Sequence, residues 1–195
     1  MSDRISKDQY YLNIAKEVAH RATCLRKLYG AVIVKNDEII ATGYNGAPRG
    51  RKNCTDIGVC VRKKLGIPSG QRYELCRSVH AEMNAIISAK RADMIDATLY
   101  LWGEYPDGRV DEDPDCCSMC KRMVLNSGIK KIVTLSREFD VSQWIMNDDT
   151  LPSLNDKLEE VINENGVVKA NSLKVGDEIL NKEGKPAKIL GIYPR

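Results

Sequence analysis

The sequence has few aromatic residues, few histidines, little net charge and no long apolar run. These absences argue against a membrane protein, a secreted protein and a nucleic-acid-binding protein. It has two histidines and one phenylalanine among 195 residues, and aromatic side chains make up only 6%. No apolar run approaches the ~20 residues of a membrane-spanning helix, and the N-terminus lacks the apolar segment of a secretory signal. The net charge is only +3, with acidic and basic residues interspersed. We therefore expect a cytoplasmic chain with no membrane or nucleic-acid partner, because nucleic-acid binding needs clustered positive charge.

Cysteine, by contrast, is well represented. The chain has seven cysteines, and 43% of its residues are apolar. Disulfides are rare in the cytoplasm, and an odd number of thiols cannot all pair within one chain, so metal binding explains the cysteines better. The apolar content suffices for one compact domain and a small appendage.

Two short motifs contain the residues of a catalytic metal site. Glu82 follows His80 by two positions, and Cys117 and Cys120 form a Cys-x-x-Cys pair. Zinc binds nitrogen and thiolate ligands tetrahedrally, and a catalytic zinc leaves its fourth position to water. We predict that His80, Cys117 and Cys120 are the ligands of such a zinc. Glu82 is then placed to move protons between that water and a substrate without binding the metal.

Each motif alone allows other interpretations. A Cys-x-x-Cys pair also occurs as a redox pair or as half of a structural zinc site, so a purely structural metal or free thiols are the alternative. We expect Cys116 to pack in the interior, with replacement of Cys117 as a ligand as its alternative role. His20 lies in a helical stretch and is interpreted as an ordinary helix residue.

Hydrophobic periodicity predicts an α/β fold. Stretches with apolar residues at helical spacing alternate with short runs typical of strands, which implies a mixed sheet with helices on its faces. Both metal motifs begin a predicted helix, where the helix dipole favours anionic thiolates. The predicted helices are residues 6–27, 81–92 and 117–126, and the predicted strands are residues 31–34, 38–41, 98–102 and 132–135. The connection over residues 43–79 is long, and structureless connections of that length are usually functional or disordered.

The character of the sequence changes at about residue 151. We assign residues 1–150 to a zinc-dependent domain and residues 151–195 to a helical linker and a small β-rich tail of unknown role. The linker helix is predicted at residues 154–164. The tail strands are predicted at residues 167–168, 178–180 and 187–190.

Four blocks of sequence together resemble the cytidine and deoxycytidylate deaminase superfamily, whose zinc signature combines these motifs. The blocks are residues 43–48, 72–78 and 80–86 and the pair at 117 and 120. The first two are similar to the deoxycytidylate (dCMP) deaminases of bacteria and their phages. The resemblance covers roughly residues 5–140, and it implies a three-layer α-β-α fold with a five-stranded mixed sheet. One difference is that Cys116 stands where the family usually has proline.

The resemblance implies a function and an assembly. The reaction would be zinc-dependent hydrolysis of dCMP to dUMP and ammonia, which supplies dUMP for thymidylate synthesis. The enzyme would be a cytoplasmic hexamer (in the host cytoplasm if it is phage-encoded), activated by dCTP with Mg²⁺ and inhibited by dTTP. Glu82 would be the catalytic acid and base, the Ala81 N–H would bond the pyrimidine carbonyl, and Asn45 would bond the sugar or base.

A nucleoside monophosphate must be held by cations, and the arginine fork suits a phosphate best. Four arginines near the motif segments are candidates, and the sequence does not rank them well: Arg26, Arg49, Arg72 and Arg77. We place Arg26 with Asn45 and Ala81 in the substrate site.

The resemblance also implies an effector site between subunits. It would use the loop over residues 43–50, whose glycines let the backbone approach a triphosphate closely. The residues assigned to it are Gly43, Tyr44, Asn45, Gly46, Gly50 and Arg91.

Four cysteines lie outside the catalytic set: Cys24, Cys54, Cys60 and Cys76. Relatives often carry a second zinc that ties the long connection to the core, so a structural zinc at some subset of these cysteines is one interpretation. Free thiols packed as small apolar residues are the other.

Two other functions are compatible with the zinc motif. One is a deaminase acting on tRNA adenosine or on single-stranded nucleic acid, which the low charge, the few aromatics and the acidic segment 104–115 disfavour. The other is a non-catalytic, zinc-stabilised binding module. The presence of Glu82 disfavours that module, because a structural zinc does not need this carboxylate.

Overall fold

A five-stranded mixed sheet is the centre of the larger of two units in the chain. The computed structural model describes residues 4–146, 160–163, 166–169, 178–180 and 186–188. The units divide after Gln143. The strands of the larger unit are β1 (Leu28–Lys35), β2 (Glu38–Tyr44), β3 (Thr98–Glu104), β4 (Lys131–Val133) and β5 (Glu138–Asp140). The α-helices are α1 (Lys7–Ala19), α2 (Cys54–Ile57), α3 (Val61–Lys64), α4 (Ala81–Ile87), α5 (Arg91–Met94), α6 (Ser118–Ser127) and α7 (Ser142–Met146).

The sheet has the order β2-β1-β3-β4-β5. β1 pairs antiparallel with β2 and β3, β3 pairs parallel with β4, and β4 pairs antiparallel with β5. Helix α6 lies in the connection between the parallel strands β3 and β4, as parallel pairing requires a long crossover. The predicted five-stranded mixed sheet is confirmed.

Helices pack on both faces of this sheet and make the three-layer fold. α1 packs on β1 and β3, and α4 packs on β1 and β2. Glycines permit both contacts, since a Cβ on Gly30 would overlap the Ala15 carbonyl of α1 and a Cβ on Gly43 would overlap the Ala81 carbonyl of α4. Gly43 pairs with Ala31, the neighbour of Gly30, so the two glycines face opposite sides of the sheet.

Helix α1 is shorter than its sequence pattern predicts. The Ser6 side chain caps its first turn, and its buried residues face β1 and β3. The predicted end is Lys27, but the helix ends at Ala19. Beyond it, the Thr23 N–H donates to the Asn45 carbonyl at 3.1 Å, so the chain follows the end of β2 instead of continuing the helix.

The predicted helix over residues 81–92 is two helices. α4 ends at Ile87 and α5 begins at Arg91. The Ser88 hydroxyl donates to the Asn84 carbonyl at 2.8 Å, a local bond that competes with continuation of a helix. Strand β5 is not predicted by the sequence pattern, because it is only three residues long and both of its end residues are exposed.

The connection over residues 43–79 folds back on itself. It contains α2, α3 and a 3₁₀ helix at Tyr73–Leu75. At its base, Gly46 and Val79 exchange two backbone hydrogen bonds of 3.1 and 2.8 Å. This bridge returns the chain to the end of β2 immediately before His80.

The smaller unit has two antiparallel strand pairs among its described residues. Its strands are β6 (Glu160–Asn163), β7 (Gly166–Lys169), β8 (Glu178–Leu180) and β9 (Pro186–Lys188). β6 pairs with β7, and β8 pairs with β9. The helix predicted over residues 154–164 is therefore wrong at 160–163, and its residues 154–159 and 164 lie outside the described part. No helix among the described residues has the length and apolar character needed to cross a bilayer.

Candidate functional site

The two sequence motifs meet in space. Nδ1 of His80 lies 3.4 Å from the sulfur of Cys117 and 3.4 Å from the sulfur of Cys120. In the described part of the chain, this is the only set of three such ligand atoms within 4.8 Å of one another. Tetrahedral zinc with ordinary bond lengths separates a nitrogen and a sulfur ligand by about 3.5 Å, so the three atoms fit one zinc ion.

The ends of two helices hold these ligands. His80 is the residue before α4 and Cys117 is the residue before α6, both with extended backbone, while Cys120 is buried in the first turn of α6. Because α4 contacts α6, the two helix N-termini lie beside each other. Their dipoles favour negative charge on the thiolates, as predicted from the positions of the motifs.

The three ligands differ in protonation when no metal is bound, and metal binding would release the protons of His80 and Cys120. Hydrogen bonds from Cys120 and from His80 lower the pKa of Cys117 to about 4, despite the opposing effect of burial. The hydrogen bond to Cys117, and then burial, raise the pKa of Cys120. Burial is the largest single influence on His80 and lowers its pKa, but the hydrogen bonds to Cys117 and Cys76 and the charge of Glu82 together raise that pKa to about 10. A thiolate is thus available at neutral pH, and the thiolate is the form that binds metal.

Glu82 lies in the first turn of α4 and is only 4% exposed. Burial raises the pKa of its carboxyl group, since the charged form loses its hydration. Its oxygens are not part of the three-atom set, but Glu82 lines the same cavity as His80 and Cys117. A carboxyl group whose pKa is shifted toward neutrality can both accept and donate a proton during a reaction.

A cavity of about 440 Å³ opens in front of these groups. Its size falls within the range of small-molecule sites. Of the four arginines predicted as phosphate ligands, Arg26 and Arg77 line it, whereas Arg49 and Arg72 do not. Ala81 also lines it, at the start of α4, as its predicted contact with a base requires.

Asn45 lines the cavity, but its side-chain amide already makes two hydrogen bonds to the backbone. Its Oδ1 accepts from the Tyr29 N–H at 2.8 Å, and its Nδ2 donates to the Lys27 carbonyl at 2.9 Å. The side chain is 6% exposed. One lone pair and one N–H are left for a ligand, so a contact of Asn45 with the sugar or base stays a prediction.

The residues assigned to an effector loop have varied surroundings. Gly43 is buried against α4, where a side chain would not fit, so packing alone explains this glycine. Gly50 has a φ of +75° with open space around it, and Tyr44 is exposed. Arg91 is exposed and donates from Nε to the Asn126 carbonyl at 3.2 Å. Their role in effector binding stays a prediction.

The four remaining cysteines line the same cavity as the catalytic motifs. Burial and the three neighbouring thiols raise the pKa of Cys54. No three of the four sulfurs fall within 4.8 Å of one another, judged over the described residues. The structure gathers Cys24, Cys54, Cys60 and Cys76 around one cavity without closing a metal site, so the second zinc stays a prediction.

Cys116, which stands at the usual proline position, is 3% exposed. Burial and the neighbouring Glu82 carboxylate raise its pKa well above the ordinary thiol value. It is not part of the three-atom ligand set. Its thiol therefore packs beside the proposed proton-transfer group, a contact that sequence reasoning did not anticipate.

Sequence reasoning also missed Arg62 and Tyr73 as parts of the site. Both line the cavity, and Arg62 is only 6% exposed. Arg62 lies in a basic run on α3, where the sequence gives no sign that one cation is buried and its neighbours are exposed.

Comparison with known proteins gives consistent similarities. The model of the cytidine and deoxycytidylate deaminase zinc-binding region matches residues 5–136. The deoxycytidylate deaminase of Mycobacterium phage D29 is 38% identical over 131 residues, which are 65% of this chain and 91% of that protein. The deoxycytidylate deaminase of Schizosaccharomyces pombe is 34% identical over 131 residues, 67% of this chain but only 37% of the yeast protein. The crystal structure of the dCMP deaminase from cyanophage S-TIM5 with dCMP and dUMP covers 67% of this chain and 83% of that one, with 23% identity and a TM-score of 0.46.

Proposed function

Because the chain belongs to the cytidine and deoxycytidylate deaminase family, we propose that it hydrolyses dCMP to dUMP and ammonia. The observation that carries this proposal is the convergence of His80, Cys117 and Cys120 beside the buried carboxyl group of Glu82. A structural zinc site would not need a buried acid at the wall of an open cavity. The product dUMP would supply thymidylate synthesis.

Each residue of the site has a part in the proposed reaction. His80, Cys117 and Cys120 would hold a zinc ion, which when bound makes water nucleophilic near neutral pH. Glu82 takes a proton from the attacking water and gives it to N3 of the ring, so that C4 accepts the oxygen. Glu82 then transfers the second proton to the departing amine, which leaves as ammonia. The Ala81 N–H, free at the start of α4, donates to the pyrimidine carbonyl.

Regulation by nucleotides is a separate part of the proposal. dCTP with Mg²⁺ would activate and dTTP would inhibit a hexamer, through the loop over residues 43–50 and Arg91. The exposed Tyr44 and the open space around Gly50 support a surface role for the outer part of this loop. Initial rates at varied dCMP concentration, with and without each triphosphate, test this. Rates that neither triphosphate changes would contradict it.

A structural zinc bound by some of Cys24, Cys54, Cys60 and Cys76 is also proposed. Their shared position around the cavity and the mutual influence of their thiols support it. Binding would require the sulfurs to move closer together. Metal analysis decides the matter, because two zinc ions per chain would support the second site and one would remove it.

Substrate choice tests the proposed function directly. dCMP, dCTP, CMP, deoxycytidine and a single-stranded oligonucleotide should be compared under identical conditions with ammonia release as the readout. We expect dCMP to give the highest kcat/KM. A preference for the oligonucleotide would support a nucleic-acid deaminase, and no release from any of them would support a binding module.

A further inference from the structure

Three arginines that line the cavity have no carboxylate partner. Arg26 donates to the Ile67 carbonyl at 3.2 Å, Arg62 donates to the Pro68 carbonyl at 3.1 Å, and Arg77 donates to a backbone carbonyl at 2.6 Å. Over the described residues, none of the three forms a salt bridge, although ten ion pairs are present there. No ion pair therefore neutralises these three charges within that part of the chain, although Arg62 also lies near enough to Glu74 to lower the pKa of its carboxyl group.

Arg26 and Arg62 donate to neighbouring peptide groups. The carbonyl groups they bond belong to Ile67 and Pro68, which are consecutive in the chain. Two positively charged guanidinium groups that line one cavity repel each other, and the repulsion grows where burial lowers the effective dielectric constant. An anion between them would turn this repulsion into attraction, and the guanidinium fork matches the oxygens of a phosphate.

The acidic groups at the cavity are mostly neutralised from outside it. Glu74 pairs with Arg72, and Asp115 pairs with Lys121 at 3.1 Å. Neither Arg72 nor Lys121 lines the cavity. The remaining acid is Glu82, which the proposed reaction uses. The cavity thus keeps an excess of positive charge.

Two buried polar atoms at the cavity lack a hydrogen-bond partner. They are Nε of Arg62 and the hydroxyl oxygen of Ser78, the two such side-chain atoms in the described part of the chain. Both residues line the cavity. Buried polar atoms are almost always bonded, so an orphaned donor beside a cavity indicates a ligand that completes its bonding.

Arg62 lies close to the metal motif, with one aromatic ring between them. Its guanidinium carbon lies 4.3 Å from the centre of the Tyr73 ring, and that ring meets the His80 ring edge-on at 4.8 Å. The Tyr73 ring therefore separates the Arg62 guanidinium from the His80 imidazole, which would bind the metal ion beside the reacting base. A nucleoside monophosphate likewise has one sugar between its base and its phosphate.

From these observations, we propose that Arg62, together with Arg26 and the Ser78 hydroxyl, binds the 5′-phosphate of the substrate and sets the preference for nucleotide over nucleoside. This inference rests on the proposed deamination of dCMP. It assigns the phosphate contact to Arg62, a buried arginine in the connection over residues 43–79.

A second neighbour of Arg62 is the Cys76 thiol. A hydrogen bond to His80 lowers the pKa of Cys76 despite burial, and hydrogen bonds from the Ser78 backbone and the Arg62 side chain lower it further. A residue that served only to neutralise this thiol would not affect the affinity for phosphate. Binding constants for ligands with and without a phosphate separate the two roles.

The test compares ligands that differ only in the phosphate. The dissociation constants of dUMP and deoxyuridine should be measured by competition calorimetry with the zinc-loaded full chain. In Arg62→Gln, dUMP should bind about 10- to 150-fold more weakly, the loss expected for a hydrogen bond to a charged group. Deoxyuridine should bind within about twofold of the unchanged protein, because it makes no contact with Arg62. Lys63→Gln, one residue along α3 and exposed, is the matched control and should change neither constant.

An equal loss for both ligands would overturn the proposal, and so would an unchanged dUMP constant. Zinc content and the thermal midpoint show whether Arg62→Gln still folds. If it does not, Arg62→Lys and Ser78→Ala carry the same comparison with losses of about 3- to 10-fold. Binding does not require turnover, so a chain that binds dUMP through Arg62 but releases no ammonia from dCMP would contradict the proposed function and leave the phosphate site supported.

Discussion

Cys116 and Cys117 are adjacent in the sequence but have different surroundings. Cys117 precedes α6 and its sulfur contacts His80, whereas Cys116 is buried beside Glu82. The sequence could not decide between them, since both stand next to the start of the same helix. The structure favours Cys117 as the metal ligand, because only its sulfur belongs to the three-atom set.

Substitution of each cysteine tests this distinction. Cys117→Ala should lose most of its bound zinc, because the metal would keep only two protein ligands. Cys116→Ala should keep zinc at the level of the unchanged protein and lose only about 1 kcal/mol of stability from the smaller buried side chain. Metal analysis after gel filtration without added zinc measures both. The reverse pattern would make Cys116 the ligand.

Much of the metal centre could be predicted from sequence because its spacing is local. His80 and Glu82 are two residues apart, and Cys117 and Cys120 are one helical turn apart, so each motif specifies its own geometry. Arg62 could not be predicted in this way. Its burial depends on contacts with Tyr73 and Pro68, which the fold of the long connection brings together.

Helix α1 is tied to the turn between β1 and β2 through one carboxylate. Asp37 accepts a hydrogen bond from the Tyr11 hydroxyl at 2.7 Å and pairs with Lys7 at 2.6 Å. The Lys7 bond and then the Tyr11 bond lower the pKa of Asp37. Asp37 has a φ of +68°, a conformation that asparagine also tolerates.

The Asp37→Asn variant should therefore lose the charge without straining the turn. A carboxylate whose pKa is lowered on folding adds stability above its unfolded pKa, and this stability disappears as the pH falls through the folded value. We expect a lower free energy of unfolding at pH 7 than in the unchanged protein, and a difference that shrinks below about pH 4. Urea unfolding across this pH range measures it.

Asp96→Asn is the matched control for this experiment. Asp96 also has a positive φ, of 62°, and it forms no ion pair within the described part of the chain. Its substitution should leave the pH dependence of stability unchanged. If the difference in unfolding free energy between Asp37→Asn and the unchanged protein stays constant with pH, the charge of Asp37 is not its cause.

The helices and strands were predictable where one local pattern dominates. Helix α6 lies within one residue of its predicted range and ends at Ser127, followed by Gly128 with a φ of +86°. α1 ends early because the chain after it bonds to the end of β2, a tertiary contact that periodicity does not encode. β5 has too few residues for its alternation to be recognised, so its pairing with β4 appears only in the folded sheet.

On the scale of the whole molecule, the residues that match the family model are nearly the same as the residues of the larger unit. The family model matches residues 5–136, and the larger unit ends at Gln143. All three proposed zinc ligands and the cavity lie within this unit. The smaller unit contributes no described residue to the site.

A chain that ends at Met146 should therefore bind zinc and deaminate dCMP with a kcat/KM within about twofold of the full chain, as expected when one unit contains a complete core and site. Ammonia release and zinc content measure this. A loss of about tenfold or more in a soluble, zinc-loaded truncation would assign a functional role to the smaller unit.

The most direct test of the account compares the unchanged chain with Glu82→Gln, both loaded with zinc, for conversion of dCMP to dUMP and ammonia with dCTP and magnesium present. Glu104→Gln is the control, since Glu104 is also buried but lies outside the cavity. We predict equal zinc content in all three proteins and a kcat about 10²- to 10⁴-fold lower in Glu82→Gln alone. Unchanged turnover in Glu82→Gln, or no ammonia from the unchanged zinc-loaded chain, would contradict the account.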